Sequence, residues 1–360
     1  MESKKLAVIN LTTIVEQLNI DCHFLGASPL GNGLINDTYL VDVGNDEGFT
    51  REIVIQRINH NVFKDVPSLM SNILNVTKAL KAKIIDEHGD AQRETLTVIP
   101  TKEGSSYVLE NGQYYRAYIY IGDSFYLDEV KSHRLFYESA IVSANFQRRL
   151  LDFPADTLVE SIPNFHNTVS RYSDFEKAVN EDKVGRLKNI TSEVEFCVLH
   201  KYLSSFIVDK LASGELPLRV THNDTKLNNI LFDKKTEKGL CLVDLDTIMP
   251  GSMLYDVGDA IRTGCVKKSS HGKKYRFDKK LYKVYYKGFT SVLDGLMTQS
   301  EKEYFHMGGI IMTYELLLRF LTDYLQGDTY FKTKYPEENL DRALRQKDLL
   351  QDMLKQFKIE

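Results

Sequence analysis

The sequence lacks what several large classes of protein require. It has no excess of positive charge, because 46 lysine and arginine residues stand against 50 aspartate and glutamate residues, which gives a net charge of −4. This balance argues against the basic surface that binds nucleic acid or anionic membranes. No apolar run is long enough to cross a bilayer, and the first residues, with Glu2 and no small-residue cleavage site, are unlike a signal peptide.

Cysteine is also scarce. The four cysteines, at positions 22, 197, 241 and 265, have no CxxC spacing, which predicts reduced and mostly buried thiols. These absences predict a cytoplasmic protein without nucleic-acid or membrane partners, and we expect a monomer or a weak homodimer.

The pattern of the sequence changes near residue 123. Before it, a short helical run at 6–18 is followed by strand-like runs such as 50–58 and by a second helical run, 66–85, which has Pro67 near its start. After it, helical spacing dominates to the C-terminus and is interrupted by one island of strand signal, residues 218–246. Because 360 residues exceed one typical core, this order predicts an α+β protein of two lobes.

The strand island opens with a very polar stretch, "THNDTKLNNILFD", residues 221–233. If its apolar end pairs with "LCLVD" in a hairpin centred near 236–237, Asn229 lies roughly opposite Asp244. A carboxamide and a carboxylate meeting there suit Mg²⁺, which prefers a few protein oxygens plus substrate phosphates. Asp224 lies in the loop feeding the hairpin, where it can accept a proton from a hydroxyl that attacks phosphate. Asp246 shares the strand face of Asp244 by two-residue alternation and is a second candidate ligand.

The spacing His222-x-Asp224-x-x-x-x-Asn229 followed by Asp244 resembles that of the aminoglycoside phosphotransferase and choline kinase superfamily. Within this superfamily, the sequence resembles the N-acetylhexosamine 1-kinase group. The segments that carry this resemblance are "GNGLINDTYLV", "IVIQRINHNVFKD", "THNDTKLNNILFD", "CLVDLDTIMPGSMLYDVGDAIR" and "LRFLTDYLQGDTYFK". They lie between residues 31 and 332, so the resemblance covers nearly the whole chain.

The resemblance implies a protein-kinase-like fold, with a small β-rich nucleotide-binding lobe (1–118), a hinge (119–123) and a large helical catalytic lobe (124–360). It implies transfer of the γ-phosphate of ATP, with Mg²⁺, to the anomeric hydroxyl of N-acetylglucosamine or N-acetylgalactosamine. By the same resemblance Asp224 is the base, and Asn229 and Asp244 bind the metal. His222 fixes the loop and Asp256 hydrogen-bonds back to it. Lys226 either meets the γ-phosphate or faces water.

The resemblance also implies where nucleotide and sugar bind. The glycine segment would cover the phosphates, and Arg57 would hold them from the third strand, although adjacent Gln56 points to the opposite face. The hinge backbone would read adenine. The nucleotide candidates are Gly31, Asn32, Gly33, Arg57, Tyr118, Ile119, Tyr120 and Ile121. The candidates for the sugar pocket are Asn36, Arg319 and Tyr330.

Two positions depart from the family pattern. Helix 66–85 has no glutamate to pair with Arg57, so Glu87 or an asparagine substitutes or the pair is absent. Leu34 stands where some sugar kinases have histidine, which leaves the sugar open. The alternatives are another acceptor, such as choline, ethanolamine, an aminoglycoside or another sugar, or a non-catalytic nucleotide-binding pseudokinase.

Most of these candidates also have a purely structural interpretation, and it stays open. Asp224 and Asn229 are common turn-capping residues, and Gly31 and Gly33 are common in turns. The remaining alternatives are an N-cap or lysine partner for Asp246, a surface ion pair for Arg57, an internal ion pair or snorkelling for Arg319, and packing for Tyr330.

Overall fold

The computed structural model describes residues 11–31, 35–268 and 274–359, and these form two compact units. The first unit runs up to Ser124 and includes Asp233–Lys235, and the second comprises Phe125–Phe232 and the residues from Thr236 onward. Strands dominate the first unit and helices the second, so the predicted α+β class is confirmed. No helix in the described ranges combines the length and the apolar character that crossing a membrane needs.

The first unit is built on a six-stranded antiparallel sheet. In sheet order, β1, β2, β3, β6 and β4 are neighbours, and β5 also pairs with β6. One face packs its alternate apolar residues, such as Val41, Ile53 and Ala117, against the helix formed by residues 11–17 (α1). The strands are β1 (His23–Pro29), β2 (Asp37–Gly44), β3 (Thr50–Ile58), β4 (Val98–Ile99), β5 (Val108–Glu110) and β6 (Gln113–Ile119).

The helix predicted at 66–85 is confirmed as α2 (Val66–Asp86). Asp65 caps its N-terminus, since the Oδ1 accepts a hydrogen bond from the Ser68 N–H at 3.1 Å. Leu69, Ile73 and Val76 recur at helical spacing and are buried. The helix is therefore held by one apolar face and begins at its cap.

Helices form most of the second unit. They are α3 (His133–Arg149), α4 (Thr168–Glu181), α5 (Thr191–Leu199), α6 (Phe206–Ala212), α7 (Met253–Gly264), α8 (Lys279–Leu293), α9 (Gln299–Glu303), α10 (Phe305–Gln326) and α11 (Glu338–Phe357). At the centre, α7 and α10 touch through their backbones, because a Cβ added at Gly258 would lie 2.4 Å from the carbonyl oxygen of Gly308. This contact fixes the two helices that carry much of the candidate site.

Short strands carry the chain between these helices. They are β7 (Ser124–Phe125), β8 (Arg219–Thr221), β9 (Ile230–Asp233), β10 (Gly239–Leu242), β11 (Met249–Gly251), β12 (Val266–Lys268) and β13 (Tyr275–Phe277). The pairs β8–β11, β9–β10 and β12–β13 are antiparallel.

The predicted β9–β10 hairpin forms, but its register differs from the expectation. Gly239 lies opposite Phe232, so the turn is centred one residue earlier than expected, and a bulge between Gly239 and Cys241 offsets only part of this, so that Leu242 lies opposite Ile230. The N–H of Val243 then donates to the carbonyl of Asn229 at 2.8 Å. Asn229 is thus opposite Val243, and Asp244 comes one residue later than predicted.

Candidate active site

The polar stretch after β8 forms a loop that is tied to the buried carboxylate of Asp256 on α7. The backbone N–H of His222 donates to Asp256 Oδ2 at 3.0 Å, and that of Asn223 donates to Oδ1 at 2.7 Å. Gln147 of α3 donates to the same carboxylate at 2.8 Å. Burial is the largest influence on the pKa of Asp256 and raises it above the ordinary value, although His222 and these donors oppose the shift. Asp256 therefore fixes the loop backbone, in which Asn223 adopts the left-handed conformation (φ 65°).

His222 is fully buried and its ring is engaged on both sides. The N–H of Asp224 donates to Nδ1 at 3.3 Å, so Nδ1 is an acceptor and the ring proton lies on Nε2. Nε2 then donates to the carbonyl of Val243, 3.0 Å away. Thr247 Oγ1 also donates to the carbonyl of His222 at 2.6 Å. This geometry suits a brace between the loop and the residue that follows β10.

Asp224 is the partly exposed carboxylate of the loop, with 28% of its side chain accessible. Its Oδ2 accepts hydrogen bonds from Lys226 Nζ at 2.7 Å and from the Asn229 amide at 2.9 Å. Burial is the largest influence and opposes ionisation, but the charge and hydrogen bond of Lys226, with help from His222 and Asn229, outweigh it and lower the pKa of Asp224. Asp224 is therefore ionised and oriented by two donors.

Lys226 completes this pair. Burial is the largest influence and would lower the pKa of Lys226, but the charge of Asp224, with smaller contributions from Asp244 and Asp259, raises it above the ordinary value. The ammonium group is thus charged, 36% exposed and held beside Asp224. Its contact with phosphate stays a prediction.

Asp244 lies just beyond β10 with its backbone in the left-handed region (φ 62°). This conformation ends the strand, and Leu245–Thr247 form a 3₁₀ turn. The alternation argument that put Asp246 on the strand face of Asp244 is therefore wrong, because two-residue periodicity holds only in extended backbone. Asp246 is buried in the turn, where its carbonyl accepts a hydrogen bond from Ser161.

The donor set at Asn229 and Asp244 fits a hard cation. Asn229 commits its amide NH₂ to Asp224 through both the carboxylate and the carbonyl, which leaves its Oδ1 as the acceptor end. Asp244 adds a carboxylate close enough to Lys226 to affect its pKa. Such a pair matches the way Mg²⁺ is bound, by one or two protein side chains with phosphate and water completing the shell. Within the described ranges no cluster of three or more His, Cys, Asp or Glu side chains is arranged to hold a metal.

Arg319 and Tyr330, predicted as sugar contacts, are brought together in the second unit. The guanidinium carbon of Arg319 on α10 lies 5.3 Å from the ring centre of Phe165, 5.7 Å from that of Tyr330 and 5.6 Å from that of Phe331. The Arg319 side chain is 12% exposed, whereas Tyr330 is 58% exposed. We call these four residues the Arg319 cluster.

The turn that carries Tyr330 is organised by buried Asp323, one turn of α10 beyond Arg319. Its Oδ1 accepts from the backbone N–H groups of Thr329 and Tyr330, each at 2.8 Å, and its Oδ2 accepts from that of Phe331 at 2.9 Å. Three backbone donors on one carboxylate fix the conformation of the turn. The ring of Tyr330 is thereby held over Arg319.

Asn36, the third predicted sugar contact, lies in the first unit. It is buried, and its Oδ1 accepts a hydrogen bond from the N–H of Asn59 at 2.9 Å. It joins the entrance of β2 to the exit of β3, and its role towards a sugar stays a prediction.

Arg57 lies on the face of β3 opposite Gln56. Its guanidinium pairs with Asp37 of β2, with the Nε at 2.8 Å, and both side chains are about half exposed. This is the surface ion pair that the sequence left as its alternative, and Asp37 takes the place of the expected helix glutamate. These contacts do not favour Arg57 as a phosphate ligand.

The other face of the sheet carries a polar chain that the sequence interpretation missed. Arg116 of β6 lies opposite Gln56 and is 1% exposed; its Nε donates to Gln56 Oε1 at 3.0 Å. Gln56 in turn donates to Thr38 Oγ1 at 2.9 Å. The sequence feature that indicates this buried chain is the arginine within the mostly apolar run "YYRAYIYI".

The remaining nucleotide candidates are placed as follows. Gly31 adopts a positive φ of 72°, which favours glycine. Asn32 and Gly33, together with Leu34, lie outside the described residues. Tyr118 and Ile121 are buried, and Ile119 and Tyr120 are partly exposed. The N–H of Ile119 donates to Thr97 at 3.0 Å. The nucleotide roles of these residues stay predictions.

The comparison with known families finds one match over part of the chain. Residues 127–277 match the family model described as the phosphotransferase enzyme family. The match includes the loop from His222 to Asn229, as well as Asp244 and Asp256. This segment is similar to that family, and the finer resemblance to N-acetylhexosamine 1-kinases is a proposal.

Solved structures show the fold of the whole chain. The chain is similar to a microcompartment-associated aminopropanol kinase (TM-score 0.62, 13% identity, 99% of each chain covered). It is similar to an aminoglycoside phosphotransferase from Alicyclobacillus acidocaldarius (TM-score 0.60, 12% identity, 96% of each chain covered). It is also similar to the amicoumacin kinase hAmiN in complex with AMP-PNP and Ca²⁺ (TM-score 0.56, 12% identity, 98% of this chain and 96% of that one). The predicted kinase-like fold is thus confirmed.

Proposed function

We propose that the protein is an ATP- and Mg²⁺-dependent phosphotransferase that phosphorylates the anomeric hydroxyl of an N-acetylhexosamine to give the sugar 1-phosphate. The observation that carries this proposal is the carboxylate of Asp224. It is ionised, partly exposed and oriented by Lys226 and Asn229, in a loop that Asp256 holds rigid. That loop lies within the segment that matches the phosphotransferase family.

The chemistry asked of the protein is mainly positioning. The acceptor hydroxyl donates its hydrogen bond to Asp224, and its oxygen attacks the γ-phosphorus while the bond to the ADP oxygen breaks. The hydroxyl proton ends on Asp224. Because the lowered pKa makes Asp224 a weak base, the proton moves late, when the attacking oxygen has become acidic through bonding to phosphorus. Asp224 therefore acts first by aligning the hydroxyl.

Charge neutralisation falls to Lys226 and to the oxygen ligands of a divalent cation. Lys226, held beside Asp224 by their ion pair, can meet negative charge that develops on the transferred phosphoryl group. Asn229 Oδ1 and Asp244 would hold Mg²⁺, which when bound neutralises phosphate charge. The electrostatic demands of phosphoryl transfer are then met from one loop and the turn after β10.

The Arg319 cluster supports a neutral sugar as the acceptor. Aromatic rings stack on the C–H faces of a sugar, and a guanidinium donates hydrogen bonds to hydroxyl or acetamide oxygens. Arg171 lies close enough to Arg319 for their charges to interact, because burial and then the charge of Arg319 lower the pKa of Arg171. Arg171 therefore adds positive charge near the Arg319 cluster. A cationic acceptor such as choline would meet the like charges of Arg319 and Arg171 there, which Glu315 offsets in part.

An acceptor panel tests this function. Neutral sugars (N-acetylglucosamine, N-acetylgalactosamine, glucose) and cationic acceptors (choline, ethanolamine, aminopropanol, an aminoglycoside) are each incubated with ATP and Mg²⁺, and ADP release is followed. We expect kcat/KM to be highest for an N-acetylhexosamine and about 100-fold or more lower for every cation. A preference for an amine would replace the proposed acceptor, and ATP binding without transfer to any acceptor would favour the pseudokinase alternative.

The pH dependence of Lys226→Met tests the electrostatics of the base. With Lys226 gone, burial becomes the dominant influence on Asp224, so its pKa should rise. A base works when deprotonated, and kcat/KM falls as the pH drops through its pKa. We therefore expect the acid limb of the kcat/KM profile to move to higher pH in Lys226→Met. Lys226→Arg keeps the charge and should leave the limb near its wild-type position. An unmoved limb in Lys226→Met would show that Asp224 is not the group titrating.

A further inference from the structure

A buried carboxylate lies between the Arg319 cluster and the catalytic loop. Glu315 of α10 is 0% exposed, and each of its oxygens has a partner from the segment before α4 or at its start. Its Oε1 lies 2.8 Å from His166 Nδ1, and its Oε2 accepts from Thr168 Oγ1 at 2.9 Å. Burial is the largest influence and would raise the pKa of Glu315, but the charges of His166, Arg319 and Arg171 outweigh it and lower the pKa. Glu315 is thus an ionised carboxylate with no solvent access.

One side of Glu315 faces the catalytic loop through His166. The second ring nitrogen of His166, Nε2, lies 3.1 Å from the carbonyl oxygen of Asn223, the residue before Asp224. The carbonyl of Asn223 and the ionised carboxylate of Glu315 are both acceptors, so each ring nitrogen of His166 faces one acceptor. The ring is itself buried and packs 5.2 Å from the ring of Tyr255 on α7.

The other side of Glu315 faces the Arg319 cluster. Arg319 follows one helical turn later, and its Nη1 lies 3.7 Å from Glu315 Oε1, the same oxygen that accepts from His166. One carboxylate oxygen therefore lies beside two basic side chains, one directed at the catalytic loop and one at the aromatic rings. Phe165, next to His166 in the chain, is itself a member of the Arg319 cluster.

We propose that Glu315 and His166 are a positioning pair that couples acceptor binding at Arg319 to the alignment of the catalytic loop at Asn223. The proposal rests on the proposed function and adds two residues that touch neither phosphate nor the reacting hydroxyl. A ligand that draws Arg319 towards itself weakens the ion pair between Arg319 and Glu315. Glu315 then binds His166 differently, and His166 shifts the Asn223 carbonyl, which precedes Asp224. The pair links side chains that are 149 residues apart in sequence.

Glu315→Gln tests the pair, because glutamine keeps the shape and removes the charge. We expect the KM for the acceptor to rise about tenfold and kcat to fall about tenfold, since small misplacements at a reacting centre cost up to about 100-fold. The KM for ATP should stay within about twofold. In a cycle with Arg319→Lys, the two changes should be non-additive on acceptor KM, because residues that share an ion-pair network couple.

Glu193→Gln is the matched control, since Glu193 is a buried carboxylate of the same unit whose partners are Lys347 at 2.7 Å and Ser192. It should lower the melting temperature as much as Glu315→Gln does and leave both kinetic constants near wild type. If Glu315→Gln does not fold, His166→Gln carries the same test, with the same expected loss in kcat and acceptor KM. If the wild-type protein is active but the kcat and acceptor KM of Glu315→Gln equal those of Glu193→Gln, the coupling is overturned and the proposed function stands. Full additivity of Glu315→Gln and Arg319→Lys on acceptor KM has the same consequence. Absence of wild-type transfer overturns the proposed function and the coupling with it.

Discussion

Asp224→Asn is expected to lower kcat by about 10³-fold, within the range that a positioned base contributes. Asparagine keeps the size of the side chain and an oxygen that can accept from Lys226 and Asn229, so the loop should keep its shape. What it loses is the charge that aligns the acceptor hydroxyl and the site that takes its proton. The affinity for ATP should change little, because the loss falls on the transition state.

The matched control for this change is Asp233→Asn. Asp233 ends β9 in the same stretch of sequence and pairs with Arg93 at 2.6 Å, with 13% of its side chain exposed. It is a partly buried, salt-bridged aspartate outside the proposed machinery, and its variant should keep kcat within about twofold. Single-turnover kinetics separate the chemical step from product release. Turnover of Asp224→Asn near that of Asp233→Asn would remove Asp224 from the role of base.

Asp244→Asn should have the second largest effect. Asparagine tolerates the left-handed backbone that Asp244 adopts (φ 62°). The change therefore removes a ligand charge without adding the backbone strain that alanine would add. We expect kcat to fall about 100-fold, as for the loss of one electrostatic contact to the transition state, and the Mg²⁺ concentration at half-maximal rate to rise about tenfold.

A Mg²⁺ titration of initial rates at saturating ATP measures both effects. The same titration of Asp246→Asn decides whether Asp246 also binds the ion. The alternation argument for Asp246 is wrong, but its side chain is buried two residues after Asp244. Asp233→Asn again serves as control. An unchanged Mg²⁺ requirement in Asp244→Asn would contradict the metal site at this turn.

The sequence was most informative where chemistry is local. His222, Asp224, Lys226 and Asn229 lie within eight positions, so their spacing alone places them in one loop, and Asp256 follows at the start of α7. The helix at 66–85 was predictable because its apolar spacing and the proline near its start agree.

The sequence was least informative where backbone detail or distant packing decides. The centre of the turn and one bulge together place Asn229 opposite Val243, and one left-handed residue ends the strand before Asp246 can share its face. Strand alternation put Arg57 on the face that carries the exposed pair with Asp37, and register alone placed Arg116 beside Gln56.

The link from Asn223 through His166 and Glu315 to Arg319 joins three separated segments. Only the spacing of Glu315 and Arg319, four residues apart on one helix, was visible in advance as a possible ion pair. The contact of Glu315 with His166 depends on how α10 packs, and no local pattern encodes it.

The position of the phosphate in the product decides whether the protein is a kinase of the anomeric hydroxyl. The wild-type protein is incubated with ATP, Mg²⁺ and ¹³C-labelled N-acetylglucosamine or N-acetylgalactosamine, and the product is examined by ³¹P and ¹H NMR. We expect a phosphorus signal coupled to the anomeric proton, which Asp224→Asn does not produce on the same timescale. Phosphorus coupled to any other sugar proton, or transfer only to an amine-bearing acceptor, would contradict it.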